Sequence, residues 1–189
     1  MQMVAERRSL HDPTRESRPQ DESPADRIAI VTKLVRTHHG WDDDETRPGP
    51  QVLLANDVAF MVVGGYAVAA HGHPRYTGDL DIWLLIDRDN AEKLVHVLRE
   101  FGFGALDLAA DDFLVEDHVV QLGREPIRID LLTGLDGVSF SECISRAVSV
   151  DIDGLQVPFI SREDLLKNKR SSGRSQDLAD VEALEARGQ

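Results

Sequence analysis

Residues 62–84 read VVGGYAVAAHGHPRYTGDLDIWL, and this stretch predicts a strand, a glycine turn, a short helix and a second strand. The apolar run that leads into it ends at Gly64 and Gly65, as a buried strand does. The next six residues favour a short helix, and residues 79–86 predict the second strand. Strands that alternate with helices in this way indicate an α/β or α+β layer architecture.

The second strand begins with two carboxylates, Asp79 and Asp81. Side chains alternate along a strand, so the pair faces one side of the sheet while Leu80 faces the other. Two like charges this close need a cation between them, and oxygen ligands of this kind suit Mg²⁺ or Mn²⁺. Taken alone, however, the Asp-x-Asp pair is more typical of solvated surface carboxylates.

A third carboxylate, Asp130, lies in a strand-like segment at residues 127–132, IRIDLL. The apolar residues of this segment share one face, and Asp130 points to the other. If this strand is a neighbour of the first, three carboxylates meet and can hold two metal ions.

The Gly64–Gly65 turn favours close approach of backbone amides to a phosphate, and an ordinary tight strand-to-helix turn is the alternative. Arg75 and Thr77 lie just ahead of the acid pair, and we expect them to donate to phosphate oxygens. His71 is a further candidate donor, but capping or packing of the helix end is at least as good an interpretation for it.

Residues 62–84 resemble the signature of the DNA polymerase β-like nucleotidyltransferase superfamily. Within it, the chain is most similar to small bacterial nucleotidyltransferases related to abortive-infection type toxins. The family pattern is Gly-Gly or Gly-Ser after a strand, Asp-x-Asp on the next strand and an acid on a later strand. In this chain the pattern falls on Gly64, Gly65, Asp79, Asp81 and Asp130.

This resemblance implies a nucleotidyltransferase fold, with a mixed β-sheet, helices mainly on one face and a small C-terminal helical portion. It also implies an enzyme that moves an NMP from an NTP to a hydroxyl group, with Mg²⁺ or Mn²⁺ bound by the three acids. Trp83 shares the face of the acid pair, and packing against a helix is the favoured interpretation over contact with the base.

The C-terminal segment 163–180 resembles the same subfamily, in which a lysine and an Arg-x-Lys-Asp-x-x-Asp element follow each other. The resemblance implies that Lys169 grips the triphosphate, while a solvated basic helix face is the open alternative. Gln176 stands where relatives often have lysine, so one phosphate or acceptor contact differs here.

The chain divides into segments of different composition. The first has almost no apolar periodicity and predicts a disordered arm. The predicted divisions are residues 1–26 as this arm, 27–51 as a peripheral helix and linker, 52–134 as the nucleotidyltransferase core, and 135–189 as the C-terminal portion of the same domain.

Composition limits the partners and the compartment. The net charge of −13 argues against coating nucleic acid through a broad basic surface. The single cysteine, Cys143, has no disulfide partner in the chain and predicts a buried thiol, and no apolar run is long enough for a membrane helix. We expect a cytoplasmic protein that does not enter membranes.

The acceptor stays open among tRNA, a protein and a small molecule, and a toxin or antitoxin partner is a further expectation. The alternative to an enzyme is a nucleotide-binding or partner-binding module that keeps the fold without turnover, as an antitoxin or regulator does.

Overall fold

The computed structural model describes residues 5–9, 50–124, 127–152 and 154–186. Its strands and α-helices, in chain order, are β1 (Ala5–Ser9), α1 (Pro50–Ala55), β2 (Phe60–Val62), α2 (Gly64–Ala70), β3 (Asp79–Leu84), α3 (Arg88–Glu100), β4 (His118–Arg124), β5 (Ile127–Leu132), α4 (Phe140–Cys143), β6 (Val148–Ile152), β7 (Leu155–Phe159), α5 (Arg162–Ser172) and α6 (Ser175–Ala186).

Seven of these strands form one mixed sheet in the order β1-β4-β5-β3-β2-β7-β6. The pairs β3–β5 and β2–β7 are parallel, and the other neighbours are antiparallel. The predicted α/β (α+β) class with a mixed sheet is therefore confirmed. Since β7 pairs with β2, the C-terminal part of the chain extends the same sheet.

The apolar strand β2 is an interior strand of the sheet, between β3 and β7, and is fully covered. Phe60, Met61 and Val62 are all buried, as their uninterrupted apolar run predicts. Helix α3 packs its apolar residues into the same core, and its first turn is capped by Asp87, whose carboxylate accepts from the backbone N–H of Asn90 at 3.1 Å. Because β2 pairs with residues 82–84, it fixes the C-terminal half of β3.

The structure corrects the predicted disordered arm at Ala5–Ser9. These five residues form β1 and pair antiparallel with His118–Leu122 of β4. Strand pairing uses backbone groups that every sequence carries, so low apolar content does not exclude it. The rest of the arm and the helix predicted for residues 27–38 lie outside the described residues.

Helix α1 begins at Pro50, two residues before the predicted start of the core at residue 52. Among the described helices, none combines the length and apolar character needed to span a bilayer.

Candidate metal centre

Asp79, Asp81 and Asp130 form one cluster at the junction of β3 and β5. The parallel register places Asp81 directly beside Asp130, as expected if the two strands are neighbours. One carboxylate oxygen from each residue lies within 4.8 Å of the other two. Asp81 and Asp130 are buried and Asp79 is partly exposed, so the cluster opens to solvent on the Asp79 side.

The glycine turn lies against this cluster. Gly64 has φ of +61°, and a Cβ atom there would be 1.8 Å from Oδ2 of Asp81. A Cβ atom on Gly65 would be 2.7 Å from Cβ of Thr77. Both glycines are thus required by close contact, and the first also by its left-handed backbone.

Thr77 contacts the cluster directly. Its hydroxyl donates to Oδ1 of Asp79 at 2.9 Å and lies 3.3 Å from the carbonyl oxygen of the same residue. In the structure this hydroxyl donates to a carboxylate, and its donation to a phosphate stays a prediction.

Arg128 is the residue of the cluster that the sequence analysis missed. Its Nε donates to Oδ1 of Asp130 at 2.8 Å, and its Nη2 pairs with Oδ2 of Asp79. Gln121 donates from the neighbouring strand to both oxygens of Asp130 at 3.3 Å. The available signal was strand alternation, which puts Arg128 on the same face as Asp130.

Arg75 and Lys169, the other two predicted nucleotide contacts, meet at a second group of charges. Arg75 binds Asp180 with two hydrogen bonds of 2.7 and 2.9 Å. The Lys169 ammonium lies 2.7 Å from a carboxylate oxygen of Asp177 and 2.7 Å from one of Asp180. We call these four residues, together with Arg174, the ionic cluster; Nε of Arg174 lies 2.5 Å from Asp177.

The cations of the ionic cluster lower the pKa values of its two acids, Asp177 and Asp180. Burial alone would raise the pKa of Asp180, but Arg75 and Lys169 outweigh it and hold that pKa below its usual value. For Asp177, Lys169 and Arg174 likewise overcome the effect of burial and lower the pKa. Gln176 donates to Asp180 at 3.3 Å, so it adds a neutral donor to this carboxylate.

Two further side chains follow their predicted packing roles. Trp83 is buried and meets Phe140 edge to face, with ring centroids 5.2 Å apart. His71 ends α2, and its Nε2 lies 2.8 Å from the carbonyl oxygen of Ile160. Both residues therefore contribute to the packing of the fold.

A mixed sheet with two acids on one strand, a third acid on its parallel neighbour and a glycine turn against them is the arrangement expected of the nucleotidyltransferase superfamily. Comparison with family models gives the particular family. Residues 46–187 match the model described as "Nucleotidyl transferase of unknown function (DUF2204)", and the chain belongs to this family.

Comparison with solved structures finds an antigenic nucleotidyltransferase-like protein from Paracoccidioides brasiliensis. It shares 15% sequence identity with a TM-score of 0.48, and the match covers 88% of this chain and 78% of that one. No curated protein matches the sequence.

Proposed function

We propose that this protein is a metal-dependent nucleotidyltransferase. It would move an NMP from an NTP to a hydroxyl group on RNA, a protein or a small molecule and release pyrophosphate. The observation that carries the proposal is the cluster of Asp79, Asp81 and Asp130 beside the Gly64–Gly65 turn. Membership of a nucleotidyl transferase family supports it.

The three acids suit Mg²⁺ or Mn²⁺. All their ligand atoms are carboxylate oxygens, and their mutual distances of 4.8 Å or less bring like charges together. A divalent ion bound there would neutralise charge on the phosphates and lower the pKa of the acceptor hydroxyl. We assign Asp79, Asp81 and Asp130 as the ligands.

The residues around the acids have distinct roles in this proposal. Gly64 and Gly65 allow the backbone to lie close to the β- and γ-phosphates, because neither carries a side chain. Thr77 keeps the Asp79 carboxylate in one orientation. The acceptor oxygen bonds to the α-phosphorus as the bond from that phosphorus to pyrophosphate breaks, and Asp130 receives the hydroxyl proton. Positioning and charge stabilisation supply most of the catalysis in such a site.

Direct nucleotide contacts by Arg75 and Lys169 remain predictions of the sequence. Each cation already binds Asp180 in the structure, so contact with a phosphate requires it to share or leave that carboxylate. A cytoplasmic location is a prediction from the cysteine content and the lack of a long apolar run, and a toxin or antitoxin partner is a prediction from the sequence resemblance.

The test is transfer of label from each of four α-labelled NTPs in a cell extract with Mg²⁺, followed by RNase or protease digestion to identify the acceptor. The matched pair is Asp79→Ala, which removes a proposed ligand, and Asp111→Asn, which changes an exposed acid paired with Arg88. We expect transfer by the unmodified protein and Asp111→Asn only. Absence of transfer from all four nucleotides, or transfer that Asp79→Ala leaves unchanged, would reject the proposal.

One observation favours the second candidate, a nucleotide-binding or partner-binding module without turnover. Arg128 already supplies a cation to Asp79 and Asp130, so these acids are partly compensated without metal. Calorimetry separates the two functions. The enzyme requires NTP affinity that rises with Mg²⁺ and falls in Asp81→Asn, whereas the module takes up NTP equally well without metal.

A further inference from the structure

We propose that Asp180, on α6, is a positioning residue for the metal centre and acts through Arg75 and Thr77. This inference rests on the proposed function, because it concerns the geometry of Asp79 as a metal ligand. It gives the ionic cluster a role in holding the segment that leads into β3.

Residues 71–78 connect α2 to β3, and we call them the connecting loop. The structure fixes this loop at both ends and near its middle. His71 contacts the carbonyl oxygen of Ile160, Arg75 binds Asp180 and Thr77 donates to Asp79. Two of these three anchors lie in the part of the chain after β6.

The Arg75–Asp180 contact fixes the orientation of the Arg75 guanidinium as well as its distance from the Asp180 carboxylate. Nε and Nη2 of Arg75 donate to the two carboxylate oxygens of Asp180 at 2.7 and 2.9 Å. A bidentate pair of this type holds the planar guanidinium in one orientation. The Nη1 of Arg75 also lies 3.2 Å from the carbonyl oxygen of Tyr76, so the guanidinium holds the loop backbone as well.

Asp180 is itself a rigid anchor. Its side chain is 1% exposed, and the Lys169 ammonium binds it at 2.7 Å from the adjacent helix α5. Lys169 also binds Asp177 at 2.7 Å, and Asp177 accepts from Ser172 at 2.8 Å. Since buried ion pairs with several partners resist separation, α5 and α6 hold the Asp180 carboxylate in place.

Thr77 transmits this position to the metal centre. It lies two residues after Arg75, and its hydroxyl donates to Oδ1 of Asp79. Its Cβ lies against Gly65, where no side chain fits, so the loop is confined on the opposite side as well. Loss of outer partners of metal ligands commonly costs roughly 10–100-fold in metal affinity or activity.

The experiment compares Asp180→Asn and Arg75→Gln with Glu185→Gln. The control breaks an exposed ion pair, Arg170–Glu185, that joins the same two helices. Two quantities are measured on the full chain: hydrogen exchange of the amides in the connecting loop, and Mn²⁺ affinity by electron paramagnetic resonance without nucleotide.

We expect faster exchange in the connecting loop and a Mn²⁺ dissociation constant raised on the order of threefold to tenfold in both test variants. Glu185→Gln should match the unmodified protein in both measurements. Arg75→Gln leaves the Lys169–Asp180 pair in place, so it reports on the loop even if Asp180→Asn does not fold.

A double-mutant cycle tests whether Arg75 acts on the metal centre through Thr77. Thr77→Val removes the hydroxyl with little change of shape, and its effect on Mn²⁺ affinity should not add to that of Arg75→Gln, because both act on Asp79. Full additivity, or unchanged loop exchange in both test variants, overturns the inference. If instead the unmodified protein binds no Mn²⁺, or if Asp81→Asn does not weaken Mn²⁺ binding, the proposed function is rejected. The positioning role is then rejected with it.

Discussion

Gly64 lies so close to Asp81 that a Cβ atom on the glycine would be 1.8 Å from the Asp81 carboxylate. Gly64 begins α2 directly after β2, and Asp81 lies on β3, the antiparallel neighbour of β2. Val63 N–H, between β2 and α2, donates to the carbonyl oxygen of Asp81 at 3.0 Å. The absence of a side chain at Gly64 therefore allows the Asp81 carboxylate to occupy its position in the site.

Gly64→Ala is expected to displace the Asp81 carboxylate and abolish metal-dependent nucleotide transfer. The left-handed backbone adds a stability cost of roughly 1–2 kcal/mol. Gly154→Ala is the matched control, because Gly154 has φ of +85° with open space around it. Thermal unfolding should show a loss in both variants, but only Gly64→Ala should lose Mn²⁺ affinity. Equal Mn²⁺ affinity in the two variants would contradict the steric argument.

Arg128→Gln is expected to lower the stability of the metal-free protein by on the order of 2 kcal/mol, since Asp79 and Asp130 lose a common cation. Added Mg²⁺ should then raise the melting temperature more in the variant than in the unmodified protein, because the ion replaces the missing charge. The measurement is thermal unfolding with and without Mg²⁺. An equal response in both proteins would show that Arg128 does not compensate the acids.

The ionic cluster predicts a specific loss of stability in acid. Asp177 and Asp180 have folded-state pKa values below the usual 3.8, so their contribution is complete above that value and is lost as pH falls through the lowered pKa. Asp180→Asn should be less stable than the unmodified protein at pH 7, and the difference should shrink below about pH 4. Urea unfolding from pH 7 to pH 3 measures this. A difference that stays constant with pH would exclude the charged pair as its cause.

Cys143 is expected to be inert to thiol reagents in the folded protein. The residue is fully buried, and burial together with Asp164 raises the pKa of its thiol to about 11. A colorimetric thiol assay at pH 8 should detect almost no reaction until urea unfolds the chain. Rapid labelling without denaturant would mean that the segment around α4 opens readily.

Local pattern predicts much of the site. The three acids and the glycine turn lie at strand ends or alternate along strands, and both features can be read within a few residues. The structure adds that β3 and β5 are parallel neighbours, which brings Asp81 beside Asp130.

The contacts that sequence reasoning missed depend on distant segments. Arg75 and Asp180 are separated by 105 positions, and only the packing of α6 reveals that they pair. Arg128 obeys the same alternation as Asp130, but an arginine in a strand is usually read as a surface residue. Strand β1 pairs through its backbone, which composition does not report.

The position of Asp180 also has a consequence for biosynthesis. All three carboxylates leave the ribosome before Asp180, because translation proceeds from the N-terminus at about 5–20 residues per second. A nascent or prematurely terminated chain that ends between β5 and α6 would carry every proposed ligand but lack the partner of Arg75. The connecting loop can therefore take its anchored position only after α6 has been translated.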